Sequence, residues 1–167
     1  MLEFAAKIKE AHGYAPRYLN LGGGMGVPYV AADGSIDYAT NIREIGQLIT
    51  AECERLQLTP PAILMEPGRS IVADAGITLY TVTGTKQIPG FRSYVAVDGG
   101  MADNPRYILY GSPYTLLPAN RMNDERNMTC SVVGRCCESG DILQENVPMP
   151  DTLERGDLIA CLTTGAY

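Results

Sequence analysis

Apolar residues recur at helical spacing in two stretches of the first half of the chain. Leu2, Ala5, Ala6, Ile8 and Ala11 predict a helix over residues 2–12, stopped by His12-Gly13. Ile42, Ile45, Leu48, Ile49 and Cys53 predict one face of a second helix, capped by Asn41 and running to about Leu58 before Pro60-Pro61. Short apolar runs alternate with these helices. Tyr18 to Leu21 predicts a strand that enters Gly22-Gly23-Gly24-Met25-Gly26. Ala31 to Tyr38 reads as a loop. Ala62 to Met65 predicts a buried strand that ends at Glu66-Pro67-Gly68-Arg69, and Ser70 to Ala75 a short helix.

The pattern changes after Gly76. Ile77–Thr85, Ser93–Val97, Thr129–Val133 and Leu158–Thr163 are rich in β-branched and aromatic residues and predict strands. Turn signals at Pro89-Gly90, Gly99-Gly100, Ser139-Gly140 and Gly156-Asp157 separate them. Residues 1–75 therefore read as α/β, and residues 76–167 as mostly antiparallel β, a small barrel or sandwich. Two parallel strands cannot cover both faces of a sheet, so the first part is expected to be completed by further chain or by a partner.

Composition narrows the partners. The 167 residues carry a net charge of −6, which argues against nucleic acid as the main ligand. No run is apolar and long enough for a membrane span. Five cysteines without a secretion signal predict reduced thiols in a cytoplasmic protein. With no CxxC spacing and a single histidine, no metal site is expected.

Chemistry concentrates at the strand ends. Glu66 and Arg69 are either an ion pair closing the Pro-Gly corner or the rim of a site. The glycines after Tyr18–Leu21 let backbone N–H groups approach a ligand closely, or make a plain tight turn. No Lys-Ser or Lys-Thr follows them, so a nucleotide P-loop is not supported.

Five stretches, LNLGGGMG, MEPGRSIVADAG, VDGGMADNPRYILY, GRCCESGDIL and GDLIACLTTGAY, occur in one order along nearly the whole chain. Together they resemble the fold-type III pyridoxal-phosphate decarboxylases, in particular the branch acting on meso-diaminopimelate. The resemblance implies the last two βα units of a pyridoxal-phosphate-binding (β/α)8 barrel over residues 1–75, followed by a C-terminal antiparallel β-domain over 76–167. It implies pyridoxal 5'-phosphate as cofactor, conversion of meso-2,6-diaminopimelate to L-lysine and CO2, and a homodimer with shared active sites. Glu66 matches the carboxylate that keeps the ring nitrogen protonated. Gly23 and Gly24 match the phosphate loop, with Pro67, Gly68 and Arg69 on its other side. Arg69, Arg106 and Tyr110 match the groups that bind the substrate's distal carboxylate, and Glu138, from the partner subunit, the acid that takes its distal ammonium. Cys137 matches the proton donor, a role that suits a thiol with an ordinary pKa of about 8.5. Tyr167 matches a tyrosine near cofactor and substrate.

The bland readings stand beside these: a solvated Arg106, and Cys137 as a small buried hydrophobe. The family's Schiff-base lysine has no match, because Lys7, Lys9 and Lys86 lie in other contexts. The chain alone is therefore expected to be inactive. The alternatives are an ornithine, arginine or carboxynorspermidine decarboxylase of the same fold, or a non-catalytic dimerising module.

Overall fold

The computed structural model describes residues 1–167. They form two compact units, one of residues 1–27 and 35–71, the other of residues 28–34 and 72–167.

The first unit is α/β. Helix α1 (Leu2–His12) ends where Gly13 turns left-handed at φ +75° and its amide donates to the Lys9 carbonyl. Strand β1 (Tyr18–Asn20) pairs in parallel with β2 (Ala62–Leu64), Leu19 facing Ile63. Helix α2 spans Tyr38–Arg55 and starts earlier than the apolar spacing suggests. Its cap is Asp37 rather than Asn41, because the Asp37 carboxylate accepts both the Thr40 amide and the Thr40 hydroxyl. The helix ends at Arg55, short of Leu58, and residues 31–33 form one 3-10 turn inside the expected loop. Of the α2 apolar face only Cys53 is fully buried, while Leu48 is 65% exposed. Strand β2 differs from expectation too, since Ala62, Ile63 and Leu64 are exposed rather than buried. A two-stranded sheet has too little area to enclose both of its faces. Helix α3 (Arg69–Val72) begins at the charged corner and is followed by a 3-10 turn over Ala73–Ala75.

The second unit, to which the 3-10 turns at 31–33 and 73–75 belong, is a mixed six-stranded sheet with one short helix. Its elements are β3 (Ile77–Ile88), β4 (Arg92–Val97), α4 (Arg106–Tyr110), β5 (Leu116–Pro118), β6 (Met128–Val133), β7 (Ile142–Met149) and β8 (Leu158–Leu162). The strand order is β5-β8-β3-β4-β6-β7. Every pair is antiparallel except β4 and β6, which run parallel with Ser93 facing Cys130, so the sheet is not purely antiparallel as the turn spacing implies. Long β3 serves two neighbours: residues 77–81 pair with β8 and residues 82–88 with β4, and a register shift between Val82 and Gly84 bends the strand. At the two ends of the order, the Tyr114 amide before β5 donates to Gln144 Oε1 on β7 at 2.6 Å. The sheet is thereby nearly closed, like a barrel. Tyr80, Val82, Val95, Val97, Met149 and Ile159 fill its interior, with Cys130 and Cys161 among them. Burial raises the Cys130 thiol to about 11 and the Cys161 thiol to about 12, so both remain protonated core residues.

Candidate functional site

In the first unit the two parallel strands end level and their ladder continues into both loops. The Leu21 amide donates to the Leu64 carbonyl at 3.0 Å, and the Glu66 amide to the Gly22 carbonyl at 2.8 Å. Asn20, the last residue of β1, joins the loops through its side chain. Its Nδ2 donates to Glu66 Oε1 at 2.5 Å, and its Oδ1 accepts the Gly22 amide at 2.7 Å. One amide side chain thus fixes the carboxylate and the start of the glycine loop together. Gly23 has a separate reason to be glycine, for a Cβ there would lie 2.3 Å from the Glu66 carbonyl oxygen. Gly22 and Gly24 sit at φ +72° and +82°, where a Cβ would meet nothing within 4 Å. The loop is held close to Glu66 on one side and unobstructed on the other. A cleft of about 340 Å³ between this loop and α2 is a poor place for the anion, because Glu44 lines it. At the Pro67-Gly68 corner, the Ile71 amide donates to the Gly68 carbonyl at 3.1 Å and starts the turn that carries Arg69.

The second unit collects the other expected residues. Strand β4 leads through Asp98 into Gly99-Gly100, and the following turn is tied by Asp103, whose carboxylate accepts the Gly100 amide at 2.8 Å and the Tyr80 hydroxyl at 2.7 Å. Burial, reinforced by Asp103, raises the Tyr80 phenol far above its ordinary range. Helix α4 follows and carries Arg106 and Tyr110. The Arg106 guanidinium carbon sits 4.8 Å from the Tyr29 ring centroid and 5.7 Å from that of Tyr110. Its Nε is buried without a hydrogen-bond partner. Tyr29 is itself anchored at three points. Its amide donates to Asp33 Oδ2 at 2.8 Å, its carbonyl accepts the Thr115 hydroxyl at 2.9 Å, and its ring meets Tyr114 edge-on at 5.0 Å. Arg106 is thus a cation held against two aromatic rings with one buried N–H left over, rather than a solvated surface arginine.

The loop between β6 and β7 carries Cys136, Cys137 and Glu138, all exposed. Cys137 is therefore not the buried hydrophobe that one reading of the sequence offered. Glu138 Oε1 accepts the Ser139 hydroxyl and the Gly140 amide, each at 3.2 Å. Desolvation, followed by the neighbouring Asp141 carboxylate, pushes the Cys136 thiol up. Tyr167 is 85% exposed at φ +68°. The segment before it is fixed, for the Gly165 amide donates to the Ala73 carbonyl at 2.9 Å and a Cβ on Gly165 would overlap the Val72 carbonyl. Asn20, Tyr29 and Asp141 were not singled out from the sequence. Asn20 left a trace there, as the one polar residue in an apolar run that meets glycines.

Residues 28–165 match the family model described as "Pyridoxal-dependent decarboxylase, C-terminal sheet domain". The chain belongs to this family. The family resemblance of the sequence motifs is thus borne out. Two curated relatives show the likeness in sequence. The diaminopimelate decarboxylase of Bacillus subtilis (strain 168) is 43% identical over 159 residues, 95% of this chain and 36% of that protein. That of Staphylococcus aureus (strain COL) is 44% identical over 160 residues, 96% of this chain and 38% of that protein. The crystal structure of the M. jannaschii diaminopimelate decarboxylase in complex with L-lysine superposes with a TM-score of 0.83 at 30% identity, covering 99% of this chain and 37% of that one. The chain spans little more than a third of the length of the curated relatives it matches. No helix is long and apolar enough to cross a membrane.

Proposed function

We propose that this chain is the C-terminal portion of a pyridoxal-phosphate-dependent decarboxylase that converts meso-2,6-diaminopimelate to L-lysine and CO2. Residues 1–75 supply the last two βα units of its (β/α)8 barrel and residues 76–167 its β-domain. The observation that carries the reading is the Glu66 carboxylate, fixed by Asn20 at the ends of two parallel strands and beside a glycine loop shaped for a phosphate. The relatives at 43–44% identity point to the substrate.

The cofactor, when bound, supplies a pyridinium ring that accepts the electron pair released with CO2. The protein's part is binding and proton management. Glu66 holds a proton on the ring nitrogen. Gly23 and Gly24, with Pro67, Gly68 and Arg69, hold the phosphate through short neutral contacts and one cation. Arg106, bracketed by Tyr29 and Tyr110, takes the distal carboxylate, with Arg69 assisting. Glu138 takes the distal ammonium. Cys137 would deliver a proton to the carbon that has lost CO2, and Tyr167 would stand near cofactor and substrate. The working form is a cytoplasmic homodimer with Glu138 reaching into the partner's site. Lys9 Nζ is engaged with the Gln57 carbonyl, and Lys7 lies on the same helix, so neither offers itself as a covalent anchor at the strand ends.

Titration of the chain with pyridoxal phosphate, with inorganic phosphate as competitor and borohydride trapping, tests the cofactor half. Phosphate-competed binding without a trapped adduct is expected; an adduct on Lys7, Lys9 or Lys86 would overturn the assignment. The substrate half is tested by co-expression with the lysine-bearing remainder of the Bacillus subtilis relative. Turnover of ornithine, arginine or carboxynorspermidine but not of diaminopimelate would refute the substrate.

A further inference from the structure

Asp141 is buried to 4% exposure just before β7, although Arg135 to Ser139 in the same loop are exposed. A buried carboxylate is costly unless its oxygens are hydrogen-bonded. Here both are, and to two different loops. Oδ1 accepts the Met101 amide at 2.6 Å, on the loop that leads from β4 into α4 and Arg106. Oδ2 accepts the Cys136 amide at 2.6 Å, on the loop that carries Cys137 and Glu138. The backbone of Asp141 closes the second loop on itself, its amide donating to the Glu138 carbonyl at 3.0 Å and its carbonyl accepting the Gly134 amide at 2.8 Å. One further strut joins the loops directly, from the Arg135 amide to the Gly99 carbonyl at 3.2 Å.

Two glycines leave room for this carboxylate. A Cβ on Gly100 would stand 2.4 Å from Oδ1, and a Cβ on Gly134 would stand 2.3 Å from both oxygens. The φ of Gly134 is not in the left-handed region, so only the carboxylate demands glycine there. Since no side chain from residues 135–139 is buried, the loop has no hydrophobic anchor of its own. Its course depends on hydrogen bonds, and the two shortest cross-links converge on one side chain.

We propose that Asp141 is a positioning residue that sets the Cys136–Glu138 loop against the loop leading to Arg106, and so places the Cys137 thiol and the Glu138 carboxylate for their roles. The functional consequence rests on the decarboxylase reading; the clamp itself does not. Charge-assisted bonds from amides to a carboxylate are the strong class, and an asparagine can accept at only one of its two terminal atoms. Asp141→Asn therefore releases one loop while keeping the volume. Gly134→Ala attacks the same contact from the other side, by pushing a methyl group into the carboxylate.

The test reads iodoacetamide alkylation of each cysteine by mass spectrometry in the intact chain. Asp141→Asn and Gly134→Ala should each change the Cys137 rate by about fivefold or more, while buried Cys130 and Cys161 in the same unit stay protected. Adding Gly134→Ala to Asp141→Ala should change nothing further, because the clash has been removed. A Cys137 rate within about twofold of the parent in both single variants would overturn the proposal. So would a rise shared by Cys130 and Cys161, which would make Asp141 merely a support of the fold. In the enzyme reconstituted with the remainder of its barrel, Asp141→Asn should lower kcat about tenfold or more and leave pyridoxal phosphate affinity unchanged. Absence of decarboxylation in the reconstituted parent would sink the functional reading but not the clamp, which alkylation tests without cofactor.

Discussion

Replacing Gly23 by alanine should displace Glu66. The new Cβ would stand 2.3 Å from the Glu66 carbonyl oxygen and 3.3 Å from its carbonyl carbon. A relaxed carbon–oxygen contact is about 3.3 Å, so one loop must recede from the other by about 1 Å. The obstructing atom is main chain and cannot rotate aside, and the Glu66 amide is tied to Gly22 at 2.8 Å. Recession therefore strains that bond as well as the packing, and costs about 2–3 kcal/mol in total. Gly22→Ala and Gly24→Ala are the controls. Their Cβ atoms meet nothing within 4 Å, so only a left-handed φ of +72° or +82° is penalised. That penalty is about 1–2 kcal/mol, with Glu66 left in place. Urea unfolding followed by helical circular dichroism is the assay, because both long helices, α1 and α2, lie in this unit. With a urea dependence of about 1–3 kcal/mol/M, Gly23→Ala should lower the midpoint by about 1–2 M. It should also weaken pyridoxal phosphate binding about tenfold, whereas Gly22→Ala should not. A Gly23→Ala midpoint no lower than that of Gly22→Ala would refute the argument, since the close approach to Glu66 would then carry no cost.

Two further outcomes follow from the second unit. Asp157 is 5% exposed, and burial alone would raise its carboxyl. Hydrogen bonds from the Glu154 amide, Asn120 and Arg121 outweigh burial and hold it below its ordinary value. A depressed carboxyl stabilises the fold above its unfolded pKa of about 3.9, and that contribution is lost as pH falls through the folded value. Asp157→Asn should accordingly cost about 2–3 kcal/mol near neutral pH, and the gap in urea midpoint should close below about pH 4; a gap that persists in acid would contradict the sign. Tyr29→Leu removes one face of the bracket around Arg106. With a cation–π contact of about 1–2 kcal/mol at stake, KM for diaminopimelate in the reconstituted enzyme should rise about tenfold with kcat little changed. A fall in kcat at constant KM would mean that Tyr29 acts elsewhere.

What the sequence determines by itself is local. Apolar spacing and turn residues place α1, β1, β2 and the start of β3, because periodicity and φ preferences need no distant partner. The same locality puts glycines, Glu66 and Arg69 just past strand ends, where backbone amides and charges can meet a ligand. The elements that escaped are those whose existence depends on pairing. Strand β7 reads Ile-Leu-Gln-Glu-Asn-Val-Pro-Met, and its run of polar residues breaks any alternation. Asn146 adopts φ +56° within it, yet β6 supplies the partner that makes it a strand. Strand β5 is only three residues long, ends in a proline and lies against β8. The parallel pairing of β4 with β6 follows from the chain crossing over by way of α4 and β5, which turn spacing does not encode. Side-chain alliances are non-local in the same way. Tyr29 sits in sequence beside the glycine loop but packs in the second unit against Arg106, 77 positions away. Asp141 looks like an ordinary turn aspartate until burial leaves its two oxygens with two amides from different loops. Desolvation makes such bonds strong and obligatory, and desolvation is a property of the folded chain rather than of any stretch of it.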